Sequence, residues 1–398
     1  MTVQLSDRIN NLSESQTLAM ARISRELQAE GKDIISLSIG EPDFDTPEPI
    51  KQAAIEAINQ NFTHYTPVPG IPELREAIAN KLKRDNNLTY QPDQIVVSTG
   101  AKQSLANIAL ALLNPGDEVL LPAPYWVSYK EIIKLAEAVP VEIPTSIKTD
   151  FKITANQLEN AITPKTKMIW YSSPCNPSGS VYSKEELAQI AQVIKKHPQI
   201  TVVSDEIYEL INFSSKHESI AQFEEIKNQV IIVNGVSKGF AMTGWRIGYI
   251  AAPQEIANAC SKMQGQITSG ANSIAQKASV KAMQMNPEEM AYMKSAFKNR
   301  RDKCIDWLKN IEDLKVNEPK GAFYLFPDIS AFFGKSHKKY TINNATDLAM
   351  YLLYEANVAV VTGEAFGDKN CIRLSYAASE DVLKEAISRI GKALAQLQ

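Results

Sequence analysis

Ile231-Ile232-Val233-Asn234-Gly235-Val236-Ser237-Lys238-Gly239-Phe240-Ala241-Met242-Thr243-Gly244-Trp245-Arg246-Ile247-Gly248 joins an apolar, β-branched run to a turn of small residues that carries a lysine. Arg246 follows eight residues after Lys238, inside a second glycine-punctuated segment. A lysine directly after a buried strand is costly to keep there unless something anionic or covalent meets its amine. Such an amine is a candidate Schiff-base former, its pKa drawn down by burial or by another cation. A lone lysine in a loop is more often simply solvated, so the pattern around it has to decide.

Working outward, the chain alternates strand and helix. Strands are expected at Ile95–Ser98, Val119–Leu121, Val139–Ile143, Met168–Tyr171, Thr201–Ser204, Gln229–Val233 and Ile247–Ala251, with helices such as Gln103–Leu113 and Lys184–Lys196 between them. Many of these runs are apolar throughout, as strands covered on both faces are. The fold class expected is therefore α/β with a mostly parallel central sheet, whose ligands bind where strands end. Upstream, helical periodicity falls on Leu18, Ile23 and Leu27, and Asp33–Ile39 reads as a strand running into a turn-rich loop at Gly40–Pro47. Helices are expected over about 48–60 and Glu73–Arg84, on either side of the proline-stiffened loop Tyr65–Pro72. Downstream, a long helical region from Pro253 to Lys315 should break near Ser269-Gly270 and Pro287. A helix at Ala345–Glu355, strands at Val358–Val361 and Ile372–Tyr376, and a last helix capped by Ser379 complete the chain. Val382, Leu383, Ala386, Ile387, Ile390 and Leu394 are expected to face inward on that helix. The division expected is a large domain at 48–289 and a small α+β domain made from 1–47 and 290–398.

Composition narrows the function classes. The chain has 398 residues, 44% hydrophobic and 22% charged, with a formal net charge of −3, which gives no electrostatic case for nucleic acid or an anionic membrane. No apolar run is long enough to span a bilayer and no basic-then-apolar leader precedes the chain, so a cytoplasmic, water-soluble protein is expected. Four scattered cysteines without a CxxC do not read as a disulfide framework, and four distant histidines predict no histidine-rich metal site.

Most candidate chemistry falls at strand ends. After Ile95–Ser98, Thr99-Gly100-Ala101-Lys102-Gln103 opens a helix with small residues, a suitable seat for an anion. Ser172-Ser173-Pro174-Cys175-Asn176-Pro177-Ser178-Gly179 can fix Asn176 over the sheet edge. Asp205-Glu206-Ile207-Tyr208 places an acid at a strand end, where a protonated ring nitrogen would suit it, with Tyr208 on the same face if the segment turns helical. Arg373, inside a strand, is either a salt bridge at a domain seam or a bidentate carboxylate clamp. A serine hydrolase lacks its G-x-S-x-G elbow here, and a nucleotide-binding oxidoreductase lacks GxGxxG. The inventory fits an anionic cofactor with a pyridine ring and an aldehyde: the lysine forms the imine, and the aspartate keeps the ring nitrogen protonated.

Ser237-Lys238 through Arg246-Ile247-Gly248, Asn176-Pro177-Ser178-Gly179, Ser204-Asp205-Glu206-Ile207-Tyr208 and Ile372-Arg373-Leu374-Ser375-Tyr376 resemble, in order, the motifs of the class I and II aminotransferases of pyridoxal 5'-phosphate fold type I, and among them the bacterial-type aspartate aminotransferases. The resemblance implies that Lys238 is the imine-forming lysine and that Asp205 partners the pyridine nitrogen. Asn176 and Tyr208 bond the ring 3-oxygen, and Trp126 stacks on the ring. Gly100, Ala101, Lys102, Ser237 and Arg246 surround the phosphate, and Tyr65 reaches it from the other subunit of a homodimer. Arg373 holds the substrate α-carboxylate beside Asn176 and Gly40, while Lys102 and Thr17 receive a distal carboxylate. The implied reaction moves the amino group of L-aspartate to 2-oxoglutarate by a ping-pong route that needs no metal. Prephenate, aromatic amino acids or alanine are the alternatives. Departures from the family pattern are Cys175, Ser178, Gly235 and Glu14.

Overall fold

The structure, a computed structural model, describes residues 3–214 and 216–398. The short strand Ile35–Ser36 (β1) comes first. Ile95–Ser98 (β2), Glu118–Pro122 (β3), Val139–Ile143 (β4), Thr166–Ser172 (β5), Thr201–Asp205 (β6), Val230–Gly235 (β7) and Gly248–Ala251 (β8) then form one sheet, ordered β2-β8-β7-β6-β5-β3-β4. All seven expected strands are present, and neighbours are parallel except where β8 meets β7 and β2. β7 and β8 are joined by residues 236–247, which carry the 3-10 turn Thr243–Trp245 but no crossover helix, and the two strands run antiparallel.

The unbroken apolar character of the strands has a direct cause. Alternate residues face two separate cores: Val97, Ile169, Val202 and Ile232 point into one, and Val96, Met168, Val203, Ile231 and Val233 into the other. Helices Pro72–Asn86 and Lys184–Lys195 close the first face, and Ala101–Leu112, Ser128–Leu135 and Gln254–Ile267 close the second. Each fully buried Val or Ile contributes about 1.5–3 kcal/mol, so the sheet is held from both sides.

Residues beyond this sheet form a smaller set of strands: Tyr324–Leu325 (β9), Ser336–His337 (β10), Tyr340–Thr341 (β11), Val358–Ala359 (β12), Val361–Thr362 (β13) and Ile372–Ser375 (β14). β14 lies between β13 and β9 in an antiparallel sheet, and β12 pairs with β1 in parallel. The run expected as one strand at Val358–Val361 is thus two, because the chain changes sheets at Val360. The expected strand at Asp33–Ile39 keeps only two ladder residues. Beyond them Leu37 still bonds Ala359, and the Ser38 carbonyl turns to Arg373. The long helical region breaks where expected, into Gln254–Ile267, Ser273–Gln284 and Ala291–Leu308, but ends at Leu308 rather than Lys315. Val382, expected inward, is 39% exposed, while Leu383, Ala386, Ile387, Ile390 and Leu394 are buried as expected; Leu18, on which the helical periodicity falls, is 62% exposed and Met20 is buried. Tyr208 sits in a turn, not a helix. Among the described residues no helix is long and apolar enough to cross a membrane.

One close approach ties β8 to the loop after β2. Gly248 pairs with Ser98 and Gly235, and a Cβ there would run into the backbone of Gly100 and Ala101. Overpacking against backbone costs about 1–3 kcal/mol. Gly248→Ala is expected to lose that much stability in equilibrium urea unfolding; a midpoint equal to that of the unaltered protein would show that this contact yields freely.

Candidate active site

A cavity of about 280 Å³ opens at the C-terminal ends of the parallel strands. Thr17, Gly40, Ala101, Lys102, Trp126, Asn176, Asp205, Tyr208, Ser237, Lys238, Arg246 and Arg373 all line it. Gly100 lies just behind, in contact with the Arg246 guanidinium. Tyr65 is elsewhere: it is 100% exposed, beside a separate depression with His64, Thr66 and Asn272.

Lys238 follows β7 across one tight turn. Its Nζ donates to the Gly40 carbonyl at 2.6 Å. Burial pulls its pKa down to about 8; Glu41 opposes this, while Arg246 and Arg373 add to it. Asp205 ends β6 and is buried. Its Oδ2 accepts from the Tyr129 hydroxyl at 2.7 Å and its Oδ1 from the Ile207 N–H at 3.2 Å. Burial raises its pKa to about 6 against the opposing pull of those hydrogen bonds. Tyr129 also packs edge-to-face on Trp126, with ring centroids 5.6 Å apart.

The segment after β2, expected as an anion seat, brings two elements together. Gly100, at φ +81°, caps the helix Ala101–Leu112, whose first N–H groups and dipole favour negative charge. The Arg246 guanidinium lies so close to Gly100 that any Cβ there would collide with it. Arg246 spends one donor on the Thr243 carbonyl at 2.9 Å. Lys102 stands 4.9 Å from the Trp126 ring centre, its pKa lowered by burial and then by Arg246.

Arg373 enters from β14. It donates to Asn176 Oδ1 at 2.9 Å and to the Ser38 carbonyl at 2.7 Å, while its buried Nε has no partner. The guanidinium lies between the rings of Tyr324 and Phe366, at 4.5 and 4.9 Å. No carboxylate pairs with it among the described residues, so of its two sequence-level readings the seam salt bridge is not the one built. The Tyr208 hydroxyl is 2.8 Å from that of Tyr324.

Two site residues escaped the sequence reading. Tyr129 looks like an ordinary inward aromatic of the amphipathic helix Ser128–Leu135; Trp126 precedes that helix, and only the fold brings the two rings together. Tyr324 lies in an apolar run that reads only as a strand. Of the departures, Cys175 is buried behind the loop against the Pro124 carbonyl, and Glu14 lines a neighbouring depression. Glu206, Glu209 and His217 cluster beneath the site, but the Glu209 carboxylate is engaged by Lys81 and that of Glu206 by Ser204, Ser219 and His217.

Known proteins place this arrangement. The family described as Aminotransferase class I and II matches residues 32–390. A bifunctional aspartate aminotransferase and glutamate/aspartate-prephenate aminotransferase of Petunia hybrida is 48% identical, over 100% of this chain and 84% of its own length. An aspartate/prephenate aminotransferase of Cereibacter sphaeroides is 46% identical over 97% of both chains. Among solved structures, the aspartate aminotransferase of Rhizobium meliloti superimposes with a TM-score of 0.97 at 42% identity, covering 100% of each chain. That of Thermus thermophilus with maleate gives 0.92 at 39%, covering 98% of this chain and 100% of the other. Carrying these motifs, this fold and this cavity, the chain belongs to the class I and II aminotransferases.

Proposed function

We propose that the protein is a pyridoxal 5'-phosphate-dependent transaminase that moves the amino group of L-aspartate to 2-oxoglutarate. The observation that carries this reading is the charge of the cavity. Four cations, Lys102, Lys238, Arg246 and Arg373, face it, against one carboxylate, that of Asp205, among the described lining residues. Such a site wants anions, and the residues fit a phosphate at one end and two carboxylates at the other. The relatives named for aspartate and prephenate, both dicarboxylic substrates, point the same way.

The donor set fits the cofactor. Gly100, Ala101, Ser237 and Arg246 would hold its phosphate, with Lys102 beside them, and Trp126 would stack on its ring. Asn176 and Tyr208 would bond its 3-oxygen, and Asp205 would face its ring nitrogen. When bound, pyridoxal phosphate supplies an aldehyde that condenses with amines and a cationic ring that withdraws electrons. Asp205, already anchored by Tyr129 and Ile207, keeps a proton on that ring nitrogen. Arg373 fixes the substrate α-carboxylate beside Asn176 and the backbone of Gly40, so that the Cα–H bond points at Lys238. Lys238, with its pKa drawn to about 8, has a neutral fraction able to take that proton and return it. Lys102 and Thr17 receive the distal carboxylate. Donor and acceptor would use the same Arg373 clamp in turn, a shared site that suits a ping-pong order.

The fully exposed Tyr65 is best explained by a homodimer in which it reaches the neighbouring subunit's phosphate. The working division remains a cofactor-binding domain at 48–289 and a small domain from 1–47 and 290–398, in a cytoplasmic enzyme. Prephenate, also dicarboxylic, is the second substrate reading; aromatic amino acids and alanine lack the second carboxylate.

Lys238→Ala should abolish transamination and leave no borohydride-fixed cofactor on the chain; retained turnover would remove the proton-transfer role. Uptake of pyridoxal phosphate by the cofactor-free protein needs the neutral amine. Its rate should therefore rise with pH, reach half its maximum near pH 8 and level off above; a midpoint at the ordinary lysine value of 10.5 would show that the amine is not tuned. Lys102→Ala should cut kcat/KM for aspartate by about ten- to a hundred-fold, the worth of a charge-assisted hydrogen bond, with little change for alanine. Equal losses on both substrates would reject distal-carboxylate binding.

A further inference from the structure

Tyr324 is fully buried in the wall of the cavity and touches three parts of the site at once. Its hydroxyl lies 2.8 Å from that of Tyr208, its ring carries the Arg373 guanidinium at 4.5 Å, and its hydroxyl abuts Gly40 closely enough to exclude any Cβ there. Gly40 in turn holds Lys238 through its carbonyl. We infer that Tyr324 is a positioning residue, acting by its hydroxyl through Tyr208 on the cofactor 3-oxygen and by its ring through Arg373 on the substrate carboxylate.

Proton counting sets the direction of the first effect. A phenol has one hydrogen to donate and lone pairs to accept. If Tyr208 gives its hydrogen to the 3-oxygen, the bond between the two hydroxyls can only be donated by Tyr324. A donor on the Tyr208 oxygen polarises its O–H and strengthens the bond it makes onward. That draws negative charge off the 3-oxygen, so the neighbouring lysine-linked nitrogen holds its proton less tightly. The second effect is orientational: the guanidinium is stacked between two rings, and removing one frees it to turn.

The inference rests on the cofactor reading, and two variants separate its parts. Tyr324→Phe removes only the hydroxyl; Tyr324→Leu removes the ring as well. Each is loaded with pyridoxal phosphate, and the pH at which the visible absorbance of the bound cofactor titrates is measured with the cofactor dissociation constant, kcat and KM for aspartate. Tyr324→Phe should raise the titration midpoint by roughly 0.1–0.6 unit, the share by which one hydrogen bond strengthens the next when the second is charge-assisted, and leave KM within about twofold. Tyr324→Leu should show the same shift and raise KM by about two- to thirty-fold. An unchanged midpoint in Tyr324→Phe overturns the action through Tyr208, and equal KM in the two variants overturns the action through Arg373. Failure of the unaltered protein to take up the cofactor, or an unchanged titration in Lys238→Ala, would instead sink the underlying reading.

Discussion

Lys102, Lys238, Arg246 and Arg373 converge on a space whose described lining offers one carboxylate, Asp205, and the rest of the molecule serves to keep that imbalance in place. Positive groups withdrawn from water repel each other and lose hydration, so the arrangement persists only because packing elsewhere over-determines it. Three of the four cations show the strain as a lowered pKa, Lys238 to about 8 and Lys102 and Arg373 in the same direction, burial being the main cause each time. Arg373 is relieved by neutral means: a carbonyl, an amide oxygen and two aromatic faces.

The scaffold delivers these groups from independent directions. Asp205 and Lys238 sit at the ends of adjacent parallel strands, β6 and β7, whose register is locked by apolar cores on both faces. Arg246 reaches back from the turn before β8 to the helix start at Gly100. Arg373 comes from β14 in the smaller sheet, and residues 38–40 bridge the two groups of strands. Lys238 is therefore placed by the large sheet, and Arg373 by the small one.

Much of this was legible because the decisive residues break a pattern. Lys238, Asp205 and Arg373 are charged residues at the end of, or inside, apolar runs, which makes them conspicuous and places them at strand ends. The strands themselves were readable because two-sided burial leaves them apolar throughout. What escaped followed the pattern. Tyr129 has the spacing of a packing residue on an amphipathic helix, and its hydroxyl bond to Asp205 spans seventy-six positions of sequence. Tyr324 is one aromatic in an apolar run. Leu18 and Val382 show the converse: both fit the helical period, yet the edge of each buried face is set by tertiary contacts, which leave these two exposed. The antiparallel course of β8 was hidden too, since strand direction depends on how the connection returns and not on the strand's own residues.

The carbonyls of Ser38 and Gly40, which receive Arg373 and Lys238, are main-chain atoms. Side-chain exchange at Ser38 cannot delete the oxygen that grips Arg373, so that contact is sheltered from ordinary genetic drift in a way that a carboxylate partner would not be; at Gly40 the oxygen also stays, but any added Cβ meets the Tyr324 hydroxyl. The vulnerability moves to the path of the chain itself: an insertion or a deletion within this short bridge would displace both grips together, while leaving every charged side chain of the cavity in the gene.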